Sequence, residues 1–248
     1  MDIVLDHVNA LRDSLQAIAE LIDEGTFKFN SSGMEFVAAD RAVVAVAALS
    51  LSKDLFKKYT LSEDVSIGLN LEEFLSVLKR VKADESLSFE INKGQLVMTS
   101  VGKYRRTFTL PILSIPEEET PPIDKLTDFK ASFEISTDIL QDAIADASLF
   151  ADSMTFIVKK DVLMIRASVD SKSTEMVLEP GDEGLKNFEV EEDVKSNYSL
   201  DYLKKMMKAS KISNTVRISL STNYPMKMNF SAPGVKLGFI LAPRFEEE

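Results

Sequence analysis

The sequence contains no cysteine and a single histidine, His7, among its 248 residues. The lack of cysteine excludes disulfides, thiolate metal sites, iron–sulfur clusters and cysteine nucleophiles, and it fits a reducing intracellular compartment. A metal site built from several histidines is excluded as well, and His7 has no second imidazole or thiol with which to cooperate. We therefore expect neither a metal site nor a cofactor.

Long apolar runs are also missing. The longest one, 42–49, is far shorter than the roughly 20 residues that a membrane-spanning helix needs. The first residues lack the basic stretch of a secretory signal, so we expect no membrane association. Lys and Arg number 29 against 40 Asp and Glu, for a formal net charge of −11. This acidity argues against a protein that coats nucleic acid with its whole surface, but it leaves room for a local basic patch.

Signatures of catalysis are sparse. The nine glycines form neither a dinucleotide-binding fingerprint nor a phosphate-binding P-loop. Residue type alone permits a hydrolase that uses paired carboxylates, with acids near Asp40 and Asp64 as candidates. The dense acidic runs at 117–119 and 246–248 are typical of a solvated linker and tail. We predict that the chain is not an enzyme.

One segment differs in composition from the rest of the chain. Residues 111–128 contain four prolines and an acidic run, a composition in which regular helices and strands cannot continue. This composition predicts an exposed linker near the middle of the chain. We place the linker at 117–128, between an N-terminal domain, 1–116, and a C-terminal domain, 129–248.

The two halves repeat one pattern. When the chain is shifted by 129 residues against itself, apolar positions coincide over most of its length. The coincident pairs include Leu11 with Leu140, Phe27 with Phe156, Phe36 with Ile165, Leu71 with Leu200, Leu78 with Met207 and Phe89 with Ile218. Agreement at so many apolar positions indicates two copies of one fold.

Each copy has the periodicity of two helices and several short strands. Apolar residues at helical spacing predict helices from Val8, from Leu71, over 138–151 and over 200–211. Asn70 and Glu73 form a capping-box pattern before the second of these. Short segments bounded by turn residues, one of them at 42–50, predict about sixteen strands. The predicted fold class is α+β, with two similar domains that each pack two helices on antiparallel sheets.

Positive charge is concentrated on the helices. With each apolar stripe facing a sheet, several cations face outward, and the candidates are Arg12, Lys79, Arg80, Lys82, Lys204, Lys205, Lys208 and Lys211. They either complement the helix dipoles or contact nucleic-acid phosphates, which give affinity without sequence information. The first helix of the second half offers Gln141, Asp142 and Asp146 instead. If the cations contact phosphates, we expect most of that contact on the second helix of each half.

Five segments occur at matching relative positions in a known protein family. They are LIDEGTFKFNSSGMEFVAADRAVV at 21–44, the acidic linker, SLFADSMTFI at 148–157, KSNYSLDYLKKM at 195–206 and LAPRFEEE at 241–248. Across essentially its whole length the chain resembles the DNA sliding clamps of the proliferating cell nuclear antigen (PCNA) family, most of all the archaeal members. The resemblance implies a ring of three subunits with helices inside, sheets outside and double-stranded DNA in the hole.

The resemblance also implies partners and their docking site. DNA polymerase, the clamp loader, flap endonuclease and DNA ligase would bind through short hydrophobic peptides on the outer face beside the linker. By position, the pocket comprises Ala39, Val43, Val44, Ile123, Leu126, Pro225, Met226, Ala242, Pro243 and Phe245. Phe245 follows the last predicted strand, where little core is left to fill. One of Val43 and Val44 is expected in a core strand instead.

Closure of such a ring requires two complementary edges. The resemblance implies that the last strand of the first domain pairs with a strand of the second domain of the next subunit. The first edge carries Lys103, Arg105 and Arg106, whereas the second carries Glu175 and Glu179. Opposite charges favour this head-to-tail contact and disfavour pairing of either edge with itself.

Three functions compete at this point. The first is a processivity clamp without an active site. The second is a subunit of a heterotrimeric or damage-response clamp with the same fold, and the third is a carboxylate-based hydrolase. The intact repeat, the basic helices and the pocket near the C-terminus favour the first. A clamp of this kind is expected in the cytoplasm at the nucleoid if the chain is archaeal, and in the nucleus if it is eukaryotic.

Overall fold

A computed structural model describes residues 2–116 and 126–245. In the first half of the chain it contains two helices, α1 (Asn9–Ile18) and α2 (Leu71–Arg80). The strands of this half are β1 (Asp2–Leu5), β2 (Glu24–Asn30), β3 (Gly33–Ala39), β4 (Ala45–Ser52), β5 (Lys58–Thr60), β6 (Val65–Asn70), β7 (Ser86–Asn92), β8 (Gln95–Val101) and β9 (Arg105–Pro111). A 3-10 turn, Lys53–Leu55, follows β4.

The second half repeats this order of elements. Its helices are α3 (Thr137–Ala147) and α4 (Leu200–Met206), and α4 continues into a 3-10 turn, Met207–Lys211. Its strands are β10 (Ala131–Ser136), β11 (Ser153–Lys159), β12 (Val162–Val169), β13 (Lys172–Leu178), β14 (Leu185–Val190), β15 (Val194–Ser199), β16 (Thr215–Leu220), β17 (Met226–Ala232) and β18 (Val235–Leu241). The predicted repeat and the α+β fold class are therefore confirmed.

Helix α2 illustrates why these segments fold as they do. The side chain of Asn70 accepts a hydrogen bond of 3.0 Å from the backbone N–H of Glu73, as the capping pattern predicts. Leu71, Phe74 and Leu78 are at most 2% exposed because they share the face that packs on the sheets. Two acidic residues lie in the first turn and two basic residues in the last, which complements the helix dipole.

The strands form three antiparallel sheets. Their orders are β5-β1-β7-β8-β9, β14-β10-β16-β17-β18-β4-β3-β2-β6 and β13-β12-β11-β15. The nine-stranded sheet joins the two halves, because β18 of the second half pairs with β4 of the first. In this junction Val235 lies opposite Leu51, and Leu241 lies opposite Ala45.

The internal repeat relates the β18–β4 junction to two strands that do not pair with each other in the described residues, β9 and β13. By the internal repeat, β18 corresponds to β9 and β4 corresponds to β13. Yet β9 ends the five-stranded sheet and β13 ends the four-stranded sheet, so each lacks a neighbour on one side. They are the two edges that the sequence assigns to contact between subunits.

The four helices form one continuous layer. Helix α1 contacts α2, α4 and the 3-10 turn after α4, while α3 contacts α4. Each helix buries an apolar stripe, as α1 does with Leu11, Leu15 and Ile18. The opposite faces of the helices therefore lie side by side on one surface of the molecule.

Strand β4 begins later than the sequence predicts, at Ala45. Asp40 accepts hydrogen bonds at its Oδ1 atom from the backbone N–H groups of Val44 and Ala45, at 2.8 and 2.7 Å. These bonds form a turn over 40–44 in place of the start of a strand. Consequently neither Val43 nor Val44 lies in a strand, and the expectation that one of them does is wrong.

Both helices of the second half also end earlier than predicted. Helix α3 stops at Ala147, after which the N–H of Leu149 bonds to the carbonyl of Asp146 and that of Phe150 to Ala147. These bonds span three residues and tighten the last turn. Helix α4 changes to 3-10 geometry at Met207. Of the predicted linker, residues 117–125 lie outside the described residues, and so does Ile123.

Candidate functional site

Most of the predicted DNA-contacting cations are exposed on the helix layer. The exposed ones are Lys79, Arg80 and Lys82 at the end of α2, and Lys204, Lys208 and Lys211 along α4 and its 3-10 turn. Lys211 donates a hydrogen bond of 3.0 Å from Nζ to Oε1 of Gln16, which ties the turn to α1. Helix α3 instead exposes Asp138, Asp142 and Asp146. Each half of the chain thus presents one cluster of three exposed cations, which lies on its second helix and on the residues directly after it.

Two of the predicted cations are held by acidic neighbours. The Nε atom of Arg12 lies 3.1 Å from Oδ1 of Asp13, and the Arg12 side chain is only 28% exposed. Lys205 Nζ lies 2.8 Å from Oδ2 of Asp201 and 5.7 Å from the centre of the Tyr202 ring. These two cations are less accessible to a phosphate than the other six.

Apolar residues of the predicted peptide pocket gather at the end of the β18–β4 junction. Val43 is 61% exposed and Phe245 is 72% exposed. The N–H of Ala242 donates to the carbonyl of Val44 at 2.9 Å, which fastens the C-terminal segment to the 40–44 turn. Large apolar side chains left at a surface are typical of a binding site.

The other predicted pocket residues lie deeper. Ala39, Val44, Leu126, Pro225, Ala242 and Pro243 are half-buried. Met226 is fully buried on β17, opposite Leu241, so its predicted contact with a partner peptide is wrong for this conformation.

One exposed apolar residue near this region was not predicted. Val37, on β3, is 44% exposed. Its neighbour Phe36 is buried, and successive side chains of a strand point to opposite faces. Alternation along β3 was therefore a signal that could have identified it.

The β9 edge carries fewer free cations than predicted. Lys103 and Arg105 are exposed, but the guanidinium group of Arg106 turns back into its own chain. It pairs with Glu85 and donates to the carbonyl of Arg80 at 3.0 Å. The prediction that Arg106 faces the neighbouring subunit in the same way as Arg105 is therefore wrong.

Glu85 is the centre of a small polar network. It is 4% exposed and accepts hydrogen bonds from the Ser100 hydroxyl at 2.7 Å and from the Lys82 backbone N–H at 3.1 Å. These bonds, together with Arg106, hold the pKa of Glu85 below its usual value. The network fixes the end of α2 against β9.

The β13 edge is acidic and partly apolar. Glu175 and Glu179 are exposed, and Val177 between them is 50% exposed. On the other face of the strand, Met176 and Leu178 are half-buried beneath α3. Strand β9 has the same construction, since its half-buried face lies beneath α2. Each edge thus combines one polar face with one incompletely covered apolar face.

The acids proposed for a hydrolase do not form a paired site. Asp40 is 9% exposed, and its carboxylate accepts three hydrogen bonds within the chain. Asp64 is exposed in the turn before β6. Within 2–116 and 126–245 there is no group of three or more His, Asp and Glu side chains placed to hold a metal ion. In the same residues no helix is long and apolar enough to cross a membrane.

Comparison with known proteins identifies the family. Residues 1–107 match the family model for the proliferating cell nuclear antigen N-terminal domain, and residues 124–245 match the one for the C-terminal domain. The chain belongs to the PCNA family. The predicted resemblance is confirmed.

PCNA-family relatives match the chain from end to end. A protein of Thermococcus gammatolerans named "DNA polymerase sliding clamp" is 35% identical, over 99% of both chains. A protein of the same name from Methanothermobacter thermautotrophicus is 32% identical, over 98% of both chains. The archaeal character of the resemblance is therefore confirmed.

Solved PCNA structures share the fold. The PCNA2–PCNA3 complex of Sulfolobus tokodaii contains a chain with a TM-score of 0.88 and 29% identity, covering 99% of this chain and 100% of that one. PCNA from Thermococcus kodakaraensis also has a TM-score of 0.88, at 24% identity, covering 98% of this chain and 99% of that one. At 24% identity, the similarity to the Thermococcus kodakaraensis structure shows only that the two chains share a fold.

Proposed function

We propose that this chain is a DNA sliding clamp, a ring without an active site that encircles double-stranded DNA and tethers DNA polymerase to it. Its membership of the PCNA family and its full-length similarity to proteins named DNA polymerase sliding clamp support this proposal. The observation that carries it is structural. The β18–β4 junction inside the chain has an unpaired counterpart in β9 and β13.

The internal repeat determines how β9 would pair with β13 of the next chain. Phe89 and its repeat partner Ile218 lie opposite Met98 and Met228, so these two methionines correspond. In the next hairpin of each half, Met98 lies opposite Phe108, and Met228 lies opposite Phe239. Phe108 of β9 therefore corresponds to Phe239 of β18. Because Phe239 lies opposite Ala47 of β4, Phe108 should lie opposite the β13 residue that corresponds to Ala47.

The same comparison identifies that β13 residue. Phe36 lies opposite Leu49, and its repeat partner Ile165 lies opposite Met176. Met176 thus corresponds to Leu49, and Thr174 corresponds to Ala47. The pairs expected between subunits are Tyr104 with Leu178, Arg105 with Val177, Arg106 with Met176, Thr107 with Glu175 and Phe108 with Thr174.

This register satisfies two conditions that were not used to derive it. In four of these five pairs the two residues match, half-buried with half-buried or exposed with exposed, while the exposed Tyr104 would meet the half-buried Leu178. Next to the Tyr104–Leu178 pair, Lys103 would lie opposite Glu179. Arg105 would lie diagonal to Glu175 and Glu179 on the same face. Both the packing and the charges are therefore complementary between identical chains.

The helix layer fits a role as the lining of a DNA channel. A ring holds DNA topologically, so it needs only weak attraction that is independent of sequence. The six exposed cations of α2 and α4 provide such attraction in a chain whose net charge is −11. The polymerase, clamp loader, flap endonuclease and DNA ligase would dock through short hydrophobic peptides at the Val43 and Phe245 surface. The protein would work where the chromosome lies, which is the cytoplasm if the chain is archaeal and the nucleus if it is eukaryotic.

A subunit of a heteromeric ring is the second candidate function. The similarity to a chain of the PCNA2–PCNA3 complex favours it. The complementarity of the two edges argues against a heteromeric ring, because both edges occur on the same chain. Self-association therefore needs no second kind of subunit.

Light scattering on the purified chain distinguishes the two candidates, and polymerase assays test the function. A mass of three chains supports the homotrimer, whereas a strict monomer supports the heteromeric ring. The ring should then raise the processivity of a replicative polymerase on primed circular DNA when a clamp loader and ATP are present. It should also slide off the same DNA after linearisation. A stable trimer that never associates with circular DNA would contradict the proposal.

A further inference from the structure

The turn that carries Val43 has an unusual backbone conformation. Val43 has a φ angle of 55°, in the left-handed region, although its branched side chain disfavours that conformation. A strained backbone of this kind persists only where surrounding contacts hold it. The corresponding connection of the second half, between β12 and β13, is a short turn at 170–171. Asp170 in that turn also has a positive φ, of 54°, but aspartate adopts this conformation more readily than valine does. The longer turn with a left-handed valine is thus particular to the half that carries the peptide surface.

Asp40 supplies the contacts that hold this turn. Its Oδ1 atom accepts the N–H groups of Val44 and Ala45, and its backbone carbonyl accepts the N–H of Val43 at 2.9 Å. Its own N–H donates to the carbonyl of Ala45 at 2.9 Å. The carboxylate and the backbone of Asp40 therefore hold the turn together, and the carboxylate fixes its last two N–H groups.

The second oxygen of Asp40 is fixed from the other half of the chain. The hydroxyl of Tyr202, at the start of α4, donates to Oδ2 of Asp40 at 2.7 Å. Burial, together with the bond to Asp40, raises the pKa of Tyr202 to about 12, so the phenol keeps its proton at neutral pH. Lys205, which pairs with Asp201, lies against the face of the same ring.

We infer that Tyr202 is a positioning residue for the partner-peptide surface. Its hydroxyl orients Asp40, and Asp40 holds the strained turn that presents Val43. Through the bond from Ala242 to Val44, the same turn also places the segment that ends in Phe245. This inference rests on the proposed function, because it presumes that clients bind at this surface.

The hydroxyl of Tyr202 is not needed to hold the two halves together. The β18–β4 ladder and the packing of α1 against α4 and its 3-10 turn already do so. Removal of the hydroxyl should therefore leave the junction and the ring intact. The Asp40 carboxylate, however, loses a hydrogen-bond donor, and the 40–44 turn is then held less firmly. The effect should appear in peptide binding and in the turn itself.

The test is a comparison of Tyr202→Phe with the parent and with Tyr59→Phe. Tyr59 is a matched control: its hydroxyl also donates within the chain, to the carbonyl of Gly33, and burial raises its pKa to about 12 as well. The probe is a short fluorescein-labelled peptide with leucine and phenylalanine side chains. We expect Tyr202→Phe to bind it roughly 5- to 20-fold more weakly, with trimer mass unchanged and with the melting temperature as in Tyr59→Phe.

Hydrogen exchange provides a readout that needs no peptide. The amides of Val44 and Ala45 should exchange faster in Tyr202→Phe, whereas amides of the β18–β4 ladder should keep their protection. Equal peptide affinity in parent and variant, or unchanged exchange at both amides, would overturn the inference. So would a drop in affinity that Tyr59→Phe shares. A parent ring that fails to bind the probe, while Tyr202→Phe still loosens both amides, would instead count against the proposed docking of clients at this surface.

Discussion

Glu85 and Arg106 form an ion pair that joins the C-terminal end of α2 to the edge strand β9. Arg106 also donates to the carbonyl of Arg80, one of the helix carbonyls that has no partner within the helix. The pair thus completes the helix and steadies the edge that would meet the next subunit. It makes Arg106 a structural residue of its own chain.

The first prediction concerns the pH dependence of this pair. Glu85 has a pKa below its usual value of 4.5, so it stabilises the fold fully above that value. This stabilisation is lost as the pH falls through the lowered pKa. We expect Glu85→Gln to melt at a lower temperature than the parent at pH 7, and the difference to shrink under acid conditions. Melting followed by circular dichroism across a pH series measures it.

Glu90→Gln is the matched control for this experiment. Glu90 is exposed on β7, in the same domain, so its replacement removes a charge without removing the network. Its melting temperature should follow that of the parent at every pH. A difference between Glu85→Gln and the parent that stays constant down to strongly acidic pH would show that the carboxylate charge is not what matters.

The second prediction tests the register between subunits. Because the parent has no cysteine, Thr107→Cys and Glu175→Cys introduce a single pair of thiols. Residues directly opposite in an antiparallel ladder have the Cα separation that a disulfide needs. Mild oxidation should therefore yield covalent trimers on a non-reducing gel. Thr107→Cys with Glu179→Cys, four residues further along β13, should yield few, and the reverse result would refute the register.

The third prediction concerns the helix layer. Replacement of Lys79, Arg80, Lys204 and Lys208 by Ala removes exposed cations and leaves each apolar stripe intact. For every phosphate that is no longer neutralised, the salt slope of duplex binding should fall by about 0.9. Fluorescence anisotropy with labelled duplex over a salt series measures affinity and slope together. Binding should stay independent of DNA sequence.

A second quadruple variant controls for total charge. Lys93, Lys160, Lys186 and Lys236 are exposed and lie outside the helices, and their replacement by Ala removes the same charge. This variant should keep the salt slope of the parent. If the slope falls equally in both variants, the helix layer is not the DNA-facing surface, and the lysines of α2 and α4 serve their helix dipoles instead.

The fourth prediction concerns the peptide surface. Phe245→Ala combined with Pro243→Ala should weaken binding of a client peptide by roughly 30-fold, since truncation of an aromatic anchor costs on the order of 2 kcal/mol. The trimer should survive, because neither residue lies in the β9 or β13 edge. Ile91→Ala, at an exposed apolar residue of β7, is the control and should bind as the parent does. Equal affinity in all three proteins would place the pocket elsewhere.

Much of the fold follows from local patterns in the sequence. The repeat was visible because buried positions such as Phe27 and Phe156 must stay apolar in both copies. The cap at Asn70 was visible because it depends on residues only three apart. The sequence could also indicate the charged edges, since Lys103, Arg105, Glu175 and Glu179 lie on or beside strands that end their sheets.

Other features depend on interactions between distant parts of the chain. The direction of Arg106 is set by Glu85, which lies in the turn between α2 and β7 and attracts the guanidinium group inward. The late start of β4 is set by the Asp40 side chain, which competes with the strand for backbone N–H groups. The bond from Tyr202 to Asp40 joins the two halves, and no periodicity encodes such a pair.

The pairing of β18 with β4 has a consequence for how a ring comes apart. In a ring of three chains, one strand ladder would recur at six seams, three within chains and three between them. A seam within a chain is closed by a covalent tether, so its strands meet at an effective concentration that dilution does not change. A seam between chains has no tether. Dilution should therefore release whole subunits with their nine-stranded sheets intact. A clamp loader that opens the ring for DNA needs to separate only β9 from β13 at one contact between subunits.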